Sequence, residues 1–200
     1  MRGLTLYLRS RRAPLALGVT AGIAVLMWLL AAANTRQRDV APEMVVLSVL
    51  LMVAALTTTL VSPDYALDRT AALRWPPRRA AHLVAVLLIV VGVLAVTLAT
   101  PARFGPVSLV ARDAVGLLGL TALGASLTTP SRSWFLPLGW TLAAVLFSSP
   151  ETVLGRTLTW QSQAPGDTAA LVTALVLAFG GFAVHILAGP PRKAAVEPGA

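Results

Sequence analysis

The stretch HLVAVLLIVVGVLAVTLAT, His82–Thr100, decides the fold. It is uniformly apolar after its first residue. At ~1.5 Å rise per helical residue, a run of this length matches a hydrocarbon core of ~30 Å. Only helices or closed barrels satisfy their backbone in lipid, and a uniformly apolar run of this length reads as a helix. Working outward, five further stretches have the same character: about 13–33, 43–62, 113–129, 133–149 and 169–188. The expectation is an all-α polytopic membrane protein with six transmembrane helices. One domain uses residues 1–200, and 189–200 read as a flexible cytoplasmic tail.

Composition supports this class. Hydrophobic residues make up 56% and charged residues 12%, too apolar for a soluble domain. The net charge of +8 has its source in the loop bias of membrane proteins, so no nucleic-acid partner is expected. No cysteine is present, which removes disulfides and cysteine metal sites. Arginine outnumbers lysine heavily, with Lys193 the single lysine, a usage that fits a bacterium with a GC-rich genome.

The first span has a basic start and ends in Ala31-Ala32-Ala33, as a signal peptide does. Leu15–Ala33 is longer than such a region, however, and reads as an uncleaved anchor. With the N-terminus inside, eleven basic residues fall in inner segments: Arg2, Arg9, Arg11, Arg12, Arg69, Arg74, Arg78, Arg79, Arg132, Arg192 and Lys193. Five fall outside: Arg36, Arg38, Arg103, Arg112 and Arg156. The split predicts a plasma-membrane protein with both termini in the cytoplasm.

Local signals refine the plan. Leu4, Tyr7 and Leu8 oppose Thr5, Arg9 and Arg12, predicting a short surface helix over residues 2–12. Pro42 opens the second span at a tolerated first-turn position. Ser62–Ala81 is the longest inner connection: Ser62 caps, Pro63 and Asp64 start a helix, and Pro76-Pro77 end it. Outside, Arg112 and Asp113 pair at the start of span four. Ser149-Pro150-Glu151 open a brief helix that Gly155 stops, Trp160 rests at the interface, and Asp167 caps span six.

Catalytic features are scarce. No G-x-x-x-x-G-K-[ST] loop occurs, so the chain carries no ATPase motif of its own and no catalytic or metal-binding residues are assigned. Gly124-Ala125-Ser126 in span four and His185 in span six superficially resemble a rhomboid-type serine protease. Leu127 stands where that pattern wants glycine, and Ser126 lies at the inner rather than the outer end of its span. No span carries a charge at its centre, which argues against ion-coupled transport. Gly18 and Gly22 in span one allow close helix approach, as do Gly116 and Gly119 in span four. Ala170, Ala174, Ala178 and Gly181 in span six do likewise. Thr57, Thr58 and Thr59 form a polar cluster, candidate pathway lining whose hydroxyls are expected to bond back to their own helix.

A surface helix before span one, a capped helix between spans two and three, and a short outer helix before span six together resemble a known family. They follow the plan of the membrane subunits of type V ATP-binding-cassette exporters, the ABC-2-like permeases. The most specific part is Ser62-Pro63-Asp64-Tyr65-Ala66-Leu67-Asp68-Arg69-Thr70-Ala71-Ala72-Leu73-Arg74-Trp75-Pro76-Pro77-Arg78-Arg79. Arg69 stands where the family has a small residue, and the second acid after Thr70 is absent. The resemblance implies that 64–75 is a short cytoplasmic coupling helix. Asp64, Tyr65, Asp68, Arg69, Leu73 and Arg74 would then contact a separate cytoplasmic ABC ATPase subunit that binds ATP and Mg, with no cofactor held by this chain. It also implies a second permease copy or homologous permease alongside, within the lipid bilayer. The alternative is a non-transporting accessory or scaffold subunit of a membrane complex.

Overall fold

The computed structural model describes residues 13–34, 38–57, 59, 75–128, 132–147 and 152–189. Among these, seven α-helices follow in order: α1 (Ala13–Asn34), α2 (Pro42–Thr57), α3 (Trp75–Val96), α4 (Val107–Leu127), α5 (Phe135–Leu146), α6 (Val153–Leu158) and α7 (Thr168–Leu187). Single 3-10 turns follow α3 (Thr97–Ala99) and α6 (Trp160–Ser162).

Four of these helices are long and apolar enough to cross a membrane: Pro14–Asn34, Pro76–Ala99, Val107–Leu127 and Thr168–Leu187. At ~1.5 Å per residue they reach the ~30 Å of a hydrocarbon core. The other two apolar helices are shorter, α2 at 16 residues and α5 at 12. The expected surface helix (2–12) lies outside the described residues, as does the expected coupling helix, apart from Trp75, which opens α3.

Helix starts follow local chemistry, with some corrections. α3 begins at Trp75, seven residues before the expected 82, because Pro76 and Pro77 fit a first turn whose N–H groups have no partner in any case. α4 begins at Val107 rather than 113, launched by Gly105 at φ 68° and by Pro106 in extended backbone. Arg112 and Asp113 therefore sit in its second turn. α6 is capped by Thr152, whose hydroxyl accepts from Gly155 N, and it runs through Gly155 to Leu158 rather than stopping there. α7 starts as expected, with the Asp167 carboxylate accepting from Ala170 N at 2.8 Å.

α4 is the centre of the bundle. Fourteen of its 21 residues are buried, from Leu109 to Ala125. α7 lies along it through one narrow stripe: Ala170, Ala174, Ala178, Gly181 and His185 are its buried residues. The approach is backbone to backbone. A Cβ on Gly119 would stand 2.5 Å from Ala178 Cα, and one on Gly181 would overlap the Gly119 carbonyl. Small residues at this seam replace the large apolar side chains of a soluble core. α2 and α3 flank α4, and α1 packs chiefly on α2. Large apolar residues such as Leu15, Leu88, Val145, Phe179 and Leu187 point outward, as a lipid-facing surface requires.

The bundle has two distinct ends. At one, the α1–α2 and α3–α4 connections pair as a short bridge: Val40 N donates to Arg103 O (2.9 Å) and Arg103 N to Arg38 O (2.8 Å). The Thr152–Asp167 connection lies at that same end, over the start of α4. The opposite end gathers the start of α3, the end of α4 and the end of α7.

Candidate functional site

The first polar cluster is built on Arg112 in α4. Its neighbours Leu109, Val110 and Ala114 are packed into the core, so the side chain leaves the helix inside protein, not lipid. The guanidinium uses nearly its whole fork. Nε donates to Asp113 Oδ1 at 3.0 Å, Nη1 to Ala164 O at 2.9 Å, and Nη2 to Gln161 O at 3.0 Å and Gln163 O at 3.1 Å. Both members of the ion pair are buried, with side-chain exposures of 2% and 0%. A charge in such a place needs a partner and a full set of hydrogen bonds, and a planar five-donor fork supplies both.

Around this pair the chain folds back on itself. Trp160 is fully buried, against the expectation of an interfacial residue, and its ring lies on Gly116, where any side chain would collide with it. Gln161 Oε1 accepts from Thr141 Oγ1 of α5 at 3.2 Å, and Trp140 Nε1 donates to Leu158 O at 3.1 Å. Asp113 Oδ2, Trp160 Nε1 and Gln161 Nε2 are buried without a hydrogen-bond partner among the described residues. The Arg112–Asp113 pairing was legible in the sequence. The reach of Arg112 to residues about fifty positions later was not.

The second cluster occupies the opposite end. Arg79 of α3 donates to the carbonyls of Ile186 (3.2 Å) and His185 (3.5 Å), so a cation caps the C-terminus of α7. Gly189 follows in the left-handed region (φ 70°) directly beneath that guanidinium. His82 meets Thr59 Oγ1 at 2.9 Å.

Ser126 and His185 do come together, Oγ to Nδ1 at 3.3 Å. The serine hydroxyl, however, donates to Ala122 O at 2.9 Å. The histidine Nδ1–H is then the donor and Ser126 Oγ the acceptor. This arrangement ties α4 to α7 and does not present the hydroxyl to a base.

The other expected residues fall as follows. Asp64, Tyr65, Asp68, Arg69, Leu73, Arg74 and Thr58 lie outside the described residues. Thr57 and Thr59 are buried and bond back to Ala54 O and Leu56 O, both at 2.6 Å. Gly116 and Gly119 sit in tight contacts, whereas Gly18 and Gly22 have nothing within 4 Å of an added Cβ. No group of three metal-ligating side chains occurs among the described residues.

No protein-family model, curated protein or solved structure matches the chain.

Proposed function

We propose that the chain is the transmembrane permease subunit of an ATP-binding-cassette exporter. It would work as a dimer, driven by separate cytoplasmic ATPase subunits that carry ATP and Mg. The observation that carries this reading is the helical segment Val153–Ser162, folded back over α4 immediately before the last long helix. It lies at the end of the bundle opposite the start of α3, where the charged connection Ser62–Arg79 arrives. A helical piece on one side before the last span, and a charged connection between the second and third spans on the other, is the plan that the resemblance implies.

On this reading α2 and α5 complete six crossings. The apolar run of α2 continues in sequence to Val61, and Trp134 and Phe147 flank α5. Both termini are cytoplasmic, and the Arg112 end faces outside. Single cysteines at Ser10, Gln163 and Ala195 test this in a chain that has none of its own. An impermeant thiol reagent on intact cells should label only Gln163→Cys. Labelling at 195 instead would reverse the orientation.

The coupling residues would act through an ATPase interface. One exposed ion pair is worth only ~0–1 kcal/mol, so a single reversal does little. Several together place like charges across an interface. Asp64→Lys, Asp68→Lys, Arg69→Glu and Arg74→Glu combined should leave insertion intact and abolish ATPase co-purification or uncouple hydrolysis from export. Wild-type recruitment and transport by the inserted variant would exclude the coupling role.

The second reading, an accessory or scaffold subunit, is favoured by the Arg112 cluster, whose polar groups serve internal contacts. Purification in mild detergent separates the two: a co-eluting ATPase supports the first, a different membrane partner the second.

A further inference from the structure

The connection Thr152–Asp167 is fastened to the bundle at few points. Within α6 only Gly155 is buried, while Val153 and Leu154 are 85% and 70% exposed. Beyond it, Thr159, Trp160 and Gln161 are buried, and the 160–162 turn packs on α2 and α7 with the Trp160 ring on Gly116 of α4. One large apolar side chain and one guanidinium hold it, together with the Trp140 Nε1 bond to Leu158 O and the Thr141 contact to Gln161 Oε1 from α5. The guanidinium contributes three bonds to main-chain carbonyls of this segment.

The seat is also imperfect. Trp160 Nε1 and Gln161 Nε2 on the segment, and Asp113 Oδ2 beneath it, are buried without hydrogen-bond partners among the described residues. A buried polar atom with no partner carries its whole desolvation cost, and lifting the segment into water would relieve that cost at all three. Strong charge-assisted bonds at one point, opposed by polar atoms with no partner among the described residues, describe a contact poised between two states. Segments with little buried apolar area are also those that open below the global unfolding free energy.

We propose that Thr152–Asp167 is a lid latched by Arg112, which lifts as a unit and opens the α4–α7 seam at Gly116 to water while the bundle stays packed. The lid follows from the bonding of its own seat and is independent of the transport reading.

The test uses the full chain in mild detergent, with Thr159→Cys on the lid and Val90→Cys in α3 as separate reporters of maleimide labelling. Thr159 is 7% exposed and Val90 0%, so each labels only on opening. Labelling at 159 should be about tenfold faster than at 90, reporting sub-global opening. Arg112→Lys keeps a cation beside Asp113 but loses the planar fork. It should speed labelling at 159 about tenfold more, and at 90 by no more than the same factor, because both openings break the Arg112 bonds. Gln161→Met removes the unpartnered Nε2 at the expense of the 3.2 Å contact between Thr141 Oγ1 and Oε1, and Thr141 retains its bond to Pro137 O (2.9 Å). It should slow labelling at 159 roughly threefold. Equal rates at the two sites would show that the segment opens only with the whole bundle and overturn the lid, and Arg112→Lys without a rise at 159 would overturn the latch. Gln161→Met without slowing would overturn the poised seat.

Discussion

Arg112→Leu should lower the stability of the purified protein by roughly 3–5 kcal/mol, the usual cost of leaving one member of a buried ion pair unpartnered. The loss has two sources. Asp113, 0% exposed, would be left buried with no cation beside it. The carbonyls of Gln161, Gln163 and Ala164 would lose the donors that hold them at 2.9–3.1 Å. An unfolding titration in mixed detergent micelles reads the effect. Arg112→Leu/Asp113→Leu is the informative companion, because a buried pair replaced by apolar residues is often nearly neutral. The double variant should recover much of what the single variant loses. A neutral Arg112→Leu, or a double variant no better than the single, would show that the pair is not the structural element its geometry describes.

Arg112 also marks the boundary between what was legible in the sequence and what was not. Its pairing with Asp113 is a matter of adjacent residues at the edge of an apolar run. The Asp167 cap, the return of Thr57 and Thr59 to their own carbonyls, and the bounds of α7 are local in the same sense. The expected 169–188 became Thr168–Leu187 because cap, apolar run and stop all lie within one segment. The small-residue stripe of α7 was readable too, since Ala170, Ala174, Ala178 and Gly181 repeat at helical spacing.

The long-range part had no such signature. Trp160 reads as interfacial because its ring is amphipathic, and only the missing side chain at Gly116 makes room for it inside. Gly18 and Gly22 have the spacing of a close helix contact, yet among the described residues nothing lies within 4 Å of a Cβ added at either. Such a motif states that a helix can be approached, not by what. The two shorter helices show a different limit. Hydropathy runs smoothly past the described ends of α2 at Thr57 and α5 at Leu146, and residues 58, 60–62 and 148–149 of the expected spans lie outside the described residues.

Gly181→Leu should be the most damaging single change in the α4–α7 seam, and its neighbour supplies the control. A Cβ at Gly181 would overlap the Gly119 carbonyl, which is backbone and cannot rotate away. The helices must separate, and the packing of Ala174 and Ala178 goes with them. Overpacking of this kind costs typically ~1–3 kcal/mol and occasionally more, and a leucine at a backbone contact falls at the upper end. Gly180 has nothing within 4 Å of its Cβ position. Gly180→Leu should therefore be neutral, or stabilising by up to about 1 kcal/mol through helix propensity. Both variants gain the same propensity, so their difference isolates the seam. Gly181→Ala and Gly119→Ala extend the test if the leucine variant fails to fold, because a single methyl already meets backbone at both positions. All three seam variants should melt below wild type, and Gly180→Leu should not. Equal melting of the Gly180 and Gly181 variants would mean that α4 and α7 do not meet backbone to backbone, and the central seam of the fold would have to be redrawn.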